Sequence, residues 1–137
     1  MARIMAIDFG TKRTGIATTD SMQLIASPLS VVETPNLLDF FDKYLSTEQV
    51  ECIVIGQALR KDGTASRVET KILKFIQKFS KKYPNIQIDR QDEGFTSTMA
   101  EEVIRQTVKS RKKRREDKGL IDKISATIIL QEYMGFL

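Results

Sequence analysis

The sequence predicts a mixed α/β fold: one five-stranded sheet, built from a three-strand antiparallel meander plus two parallel strands and flanked by about four helices. Three observations carry that expectation. Three extended segments follow one another with short turns before residue 34. Two later strand segments, at 52–55 and 86–91, each come after a helical pattern, the mark of a parallel crossover. Beyond residue 98 the apolar spacing is helical only.

Each element has its own signal. The apolar run Ile4–Ile7 reads as a buried strand that breaks at Asp8, and T-K-R-T-G supplies a turn into a second strand, G-I-A-T-T-D. Asp20-Ser21 signals a turn back into a third, from Met22 to Glu33, in which Pro28 marks an edge or a bend. Pro35 and Asn36 open a helix whose Leu37, Leu38, Phe41, Tyr44 and Leu45 share one face. Cys52–Ile55 is a fully apolar strand ending at Gly56, and should lie parallel to the first. From Ala65 to Lys82 the apolar positions fit a long amphipathic helix closed by Pro84, and a short fifth strand follows. Thr98-x-x-Glu101 is a capping box for a helix to about Val108, and a last apolar helix starts at Lys118 or Gly119. This order of elements is the pattern of an RNase H-like fold.

Composition narrows the chemistry. At 137 residues, 41% of them hydrophobic and 29% charged, a single soluble domain over 1–137 is expected, with a core that needs no disulfide. No apolar run is long enough for a membrane span or a signal peptide, so a cytoplasmic protein is expected. Cys52 sits inside V-E-C-I-V-I-G, the setting of a buried strand thiol. The chain has no histidine, which excludes Ser-His-Asp and Cys-His catalysis and histidine-bound zinc. Positive charge concentrates at 109–118, where seven basic and two acidic side chains stand together. Such a run is either a solvated connector or a polyanion contact. Without aromatic residues in it, contact with a nucleic-acid backbone is expected rather than base readout.

Acids collect where an open sheet places its sites, at strand carboxyl ends. Asp8 ends the first strand, and Asp92 and Glu93 follow the fifth. Asp8 reads either as a turn carboxylate or as a metal-binding or phosphate-facing acid. Asp122, in the first turn of the last helix, reads alone as an acid favoured by the helix dipole. Ala126, one turn on, is small enough to let that helix lie close on the sheet, with Asp122 directed toward Asp8. Three acids on one edge repel each other, and divalent cations neutralise such a group. Mg²⁺ or Mn²⁺ suits an all-oxygen donor set.

Four segments carry a family resemblance: I-D-F-G-T-K-R-T-G-I-A-T-T-D, I-V-I-G-Q-A-L-R-K-D-G-T, D-E-G-F-T-S-T-M-A and K-G-L-I-D-K-I-S-A-T-I-I-L. In order and spacing they resemble the YqgF/RuvX family of RNase H-like candidate Holliday junction resolvases, also described as candidate pre-16S ribosomal RNA nucleases. The resemblance implies Asp8, Glu93 and Asp122 as catalytic, metal-binding acids for two cations. It also places Lys12 and Arg13, in the first turn, and Lys118, near the last helix, beside the scissile phosphate. Metal-assisted phosphodiester hydrolysis is the expected reaction, with Asp92 as a neighbour that orients the loop or as the ligand in place of Glu93. Arg60 and Lys61, in the loop 57–64, and Arg111, Lys112, Lys113, Arg114 and Arg115 are candidate nucleic-acid contacts.

Two positions depart from the family pattern. Gly94 stands where an arginine is usual, and Gln57-Ala58 where the second segment usually continues with Leu-Pro. Gly94 gives substance to an alternative, a non-catalytic RNA- or DNA-binding factor on the same fold. A phosphate-binding ATPase-like domain, which D-F-G-T with Gly15 also resembles, would need a second lobe that one such domain does not supply.

Overall fold

The expected meander forms. β1 (Arg3–Phe9) turns over residues 10–12 into antiparallel β2 (Arg13–Thr19), and β2 pairs antiparallel with β3 (Ala26–Glu33). This is a computed structural model that describes residues 2–57, 67–92 and 118–136. A 3-10 turn at Thr34–Asn36 leads into α1 (Leu37–Leu45), then come β4 (Val50–Gln57), α2 (Arg67–Lys82), β5 (Gln87–Asp92) and α3 (Lys118–Met134). The sheet runs β3-β2-β1-β4-β5, with β4 parallel to both β1 and β5. Three helices flank it among the described residues. The expected helix at 98–108 and its capping box lie outside them.

Alternation along the strands divides the core in two. Met5, Ile7, Phe9, Ile16, Ile53 and Ile55 pack with α1 and α2, where Phe41, Phe75 and Phe79 form a chain of ring contacts. Ile4, Ala6, Ala17, Cys52 and Val54 face α3 and meet Ala126, Ile129 and Leu130. Small residues on both sides let α3 lie close on the sheet. Cys52 is the buried strand thiol expected: burial pushes its pKa up to about 11, with the Asp89 carboxylate at 3.8 Å and the Tyr133 hydroxyl at 3.9 Å. No helix among the described residues is long and apolar enough to cross a membrane.

Two boundaries differ from expectation. Arg13 opens β2 rather than belonging to the turn, because pairing continues to Arg13↔Glu33 on β3. β3 begins at Ala26, not Met22. The Asp20 carboxylate accepts hydrogen bonds from the amides of Met22 (3.3 Å), Leu24 (2.7 Å) and Ile25 (2.8 Å), so these groups serve a loop instead of a ladder. Gln23 takes a left-handed φ of 59° there. On β3 itself the register shifts between Ile16 and Ala17, with Pro28 opposite Ala17, as suits an edge strand.

The Asp20 loop yields a pH prediction. Hydrogen bonds from Ile25 first, then Leu24 and Met22, hold its pKa below the ordinary carboxyl value. A carboxyl depressed in the folded state contributes stability above its unfolded pKa, and that contribution is lost as pH falls through the folded value. Asp20→Ala should therefore lower the melting temperature at pH 7, and the two melting curves should converge in acid once the carboxyl is protonated.

Candidate functional site

Asp8 is the next-to-last residue of β1 and pairs across the sheet with Gly15 of β2. Strand alternation sets Asp8 on the face of Ile4 and Ala6, the face that α3 covers. Gly15 then decides how near the helix comes. A Cβ built on Gly15 would lie 2.0 Å from the backbone oxygen of Asp122 and 3.0 Å from its Cβ. No side chain fits there. The turn of α3 that bears Asp122 rests on the bare backbone of Gly15, which pairs with Asp8, so both acids lie at one edge of the sheet. From sequence, Gly15 reads simply as a turn residue; its reason is this close approach.

Asp122 is not in the first turn of its helix. α3 starts at Lys118 and its first turn carries no acid. The dipole effect fades within that turn, so it does not account for Asp122. What engages the carboxylate is Arg13, whose Nε donates to Oδ2 at 2.9 Å. The pair is 42% and 22% exposed, and half-solvated pairs of this kind are worth about 0.2–1 kcal/mol, too little to dock a helix. The bridge therefore orients the carboxylate more than it stabilises the fold. It also puts a cation against an acid expected to meet metal. Lys12 is exposed in the adjoining turn, and its backbone carbonyl accepts from the Thr34 amide at 2.9 Å.

The other expected residues distribute as follows. Asp92 ends β5 paired with Gln57, and Lys118 opens α3. Glu93, Gly94, Arg60, Lys61 and Arg111–Arg115 lie outside the described residues. Among the described residues no group of three or more acids or thiols is arranged to hold a metal ion. Asp8 and Asp122 nevertheless offer carboxylate oxygens on one edge, a donor chemistry that fits a hard divalent cation.

Three residues near this edge are not among those the sequence singles out. Arg90 donates to the carbonyls of Ile55 (3.2 Å) and Gly56 (3.1 Å) and, through both terminal nitrogens, to the Glu69 carboxylate, with Nη2 to Oε2 at 2.9 Å. Glu69 is 5% exposed and Arg90 half-buried, and the pair ties the start of α2 to the carboxyl end of β4. The available signal was an acid at position 69 on the otherwise apolar side of α2. Ser125, three residues beyond Asp122, is 1% exposed and its hydroxyl has no hydrogen-bond partner among the described residues. A polar residue in the apolar stripe of the last helix was its signal.

Comparison with known proteins places the chain in a family and a fold. The sequence matches the RuvX family, described as Holliday junction resolvase, over residues 2–135. A relative from Christiangramia forsetii, named a candidate pre-16S rRNA nuclease, is 48% identical over 135 residues, covering 98% of each chain. One of the same name from Phocaeicola vulgatus is 44% identical over 134 residues, covering 98% of this chain and 96% of the relative. Among solved structures, the Fowlpox virus resolvase bound to Holliday junction DNA superposes with a TM-score of 0.57 at 14% identity, over 98% of this chain and 97% of that one. RuvC of T. thermophilus in complex with a Holliday junction substrate gives 0.54 at 11% identity, over the same shares. At these identities the structural likeness establishes the RNase H-like fold and nothing finer.

The contact at Gly15 can be tested directly. Gly15→Ala should push α3 off the sheet, since the obstructing atoms are backbone and cannot swing aside. Overpacking of this kind costs about 1–3 kcal/mol. Thermal melts should show the loss, whereas Gly135→Ala, where nothing lies within 4 Å of the added carbon but φ is +77°, should cost only its backbone strain.

Proposed function

The chain belongs to the RuvX family, and from that we propose that it is a metal-dependent nuclease hydrolysing phosphodiester bonds in structured nucleic acid. Its substrate would be the 5′ end of a pre-16S rRNA precursor or a resolvase-type branched junction. The observation that carries this reading is the seating of the Asp122 turn on Gly15, across from Asp8. Asp is disfavoured in strands, so strand formation does not itself call for Asp8 at that edge.

Asp8, Glu93 and Asp122 would hold Mg²⁺ or Mn²⁺, two ions by the family resemblance. When bound, the cations would supply an activated water and charge stabilisation for the departing oxygen. The chain's own groups have narrower tasks. Asp8, on the central strand, is fixed by its ladder and presents its carboxylate at a constant position. Asp122 is oriented by Arg13, and that guanidinium stands ready for a phosphate oxygen once the carboxylate is otherwise engaged. By the family resemblance Lys12 and Lys118 would stand beside the scissile phosphate, and Arg60, Lys61 and Arg111–Arg115 would contact the nucleic-acid backbone. With no histidine in the chain, no step calls for an imidazole base.

Cleavage of matched RNA-precursor and junction substrates by purified protein, with Mn²⁺, Mg²⁺ or EDTA, tests the assignment. Product should form with either cation and vanish in EDTA. Asp8→Asn and Asp122→Asn should each lose several orders of magnitude in rate while still melting cooperatively, as expected of groups that act as a unit. Tight binding of RNA with no cleavage under any metal would favour the non-catalytic reading to which Gly94 lends substance. Full activity in Asp8→Asn would remove the proposal.

A further inference from the structure

The run at 109–118 is not the chain's only concentration of positive charge. α2 holds six basic side chains and one acid, a surplus that acids elsewhere hide in a linear count. Lys71, Lys74, Lys78 and Lys81 recur at spacings of three and four, which stacks them in one row along the helix, and all four are exposed. Among the described residues no ion pair neutralises the row. The helix's acid, Glu69, is buried and taken by Arg90, and Lys82, off the row, is paired with Asp42 at 2.6 Å. Among the described residues no carboxylate is within ion-pairing distance of the four. Like charges at these spacings disfavour a helix, so the stability of α2 does not explain them.

The row leads to the acidic edge. Lys71, Lys74 and Lys78 line a groove together with Phe9, Thr34 and Leu38. Phe9 follows Asp8 in β1, and the Thr34 hydroxyl donates to the Gly10 carbonyl at 2.6 Å, so the groove opens beside the carboxyl end of β1. α2 joins two parallel strands and therefore runs back from that end of the sheet. Over the eleven residues from Lys71 to Lys81 the row covers about 15 Å of helix, the rise of about four base pairs.

We infer that this row is a track for the phosphate backbone of a substrate arm that flanks the cleaved bond, on the face of the sheet opposite α3. The inference rests on the reading of the Asp8 edge as a phosphodiester site. An acidic protein is the lesser fit, because the row is single in sign, lacks exposed aromatic anchors and starts where a phosphodiester must lie. Backbone contact of this kind is indifferent to base sequence.

The test is binding in EDTA, where no cleavage is expected, by fluorescence anisotropy across a salt series. The full chain is compared with a variant carrying Lys71→Gln, Lys74→Gln, Lys78→Gln and Lys81→Gln, and with one carrying Lys→Arg at the same positions. On a junction with long duplex arms the Gln variant should lose about 3–4 units of the log–log salt slope, while the Arg variant keeps it. On a junction with arms trimmed short of the row, wild type and Gln variant should coincide. Circular dichroism verifies that both variants are folded. Equal slopes on long arms would overturn the inference, as would loss of polyglutamate binding with the nucleic-acid slope intact. Since the slope is read without cleavage, a wild type that shows it but never cuts would strike the nuclease reading and leave the track standing.

Discussion

The approach of the α3 backbone to Gly15 is the constraint on which the candidate site depends. A carbon added at that position would stand 2.0 Å from a peptide oxygen, well inside contact distance, so the helix occupies space that only glycine leaves open. Ala6, Ala17 and Ala126 extend the same economy of volume along the interface. Larger side chains at these places would lift the helix and carry Asp122 away from Asp8. Packing density, more than attraction between the functional groups, sets the geometry, since the groups themselves carry like charge.

Two ion pairs beside the edge do different work. Glu69 is buried and Arg90 half-buried; they share two hydrogen bonds, and the guanidinium also donates to the carbonyls of Ile55 and Gly56 near the end of β4. These four bonds tie the carboxyl end of β4 to the start of α2. Arg13 and Asp122 are half in water. Their bridge is weak enough to exchange for another partner, as the proposed cation and phosphate site would require. Strength is spent on the scaffold and lability on the site.

Much of this was legible in the sequence because periodicity records burial. The meander, the two crossovers and the split between strand and helix follow from apolar spacing and turn residues; Asp8 stands out because strands and burial disfavour an acid, and Asp122 only in company with the other acids at strand ends. Interactions between distant elements were not legible. Nothing local distinguishes Gly15 as a seat for a helix more than a hundred residues away, or pairs Glu69 with Arg90. The start of β3 was misjudged because Met22, Leu24 and Ile25 look like strand residues, yet their amides are claimed by Asp20. The row on α2 does not show in net charge along the chain, because a helix sorts its charges by face.

Cys52 lies beneath α3, in contact with Tyr133 near the end of that helix, and burial keeps its thiol protonated well above neutral pH. Thiolate is the form that oxidants and electrophiles attack, so the docked protein is chemically quiet. The same helix carries Asp122. An oxidant therefore reaches the sulfur chiefly in molecules whose α3 has already lifted, and these have also lost the shared acidic edge. Oxidative damage to this chain would accumulate in the inactive fraction first, trapping open molecules rather than poisoning closed ones.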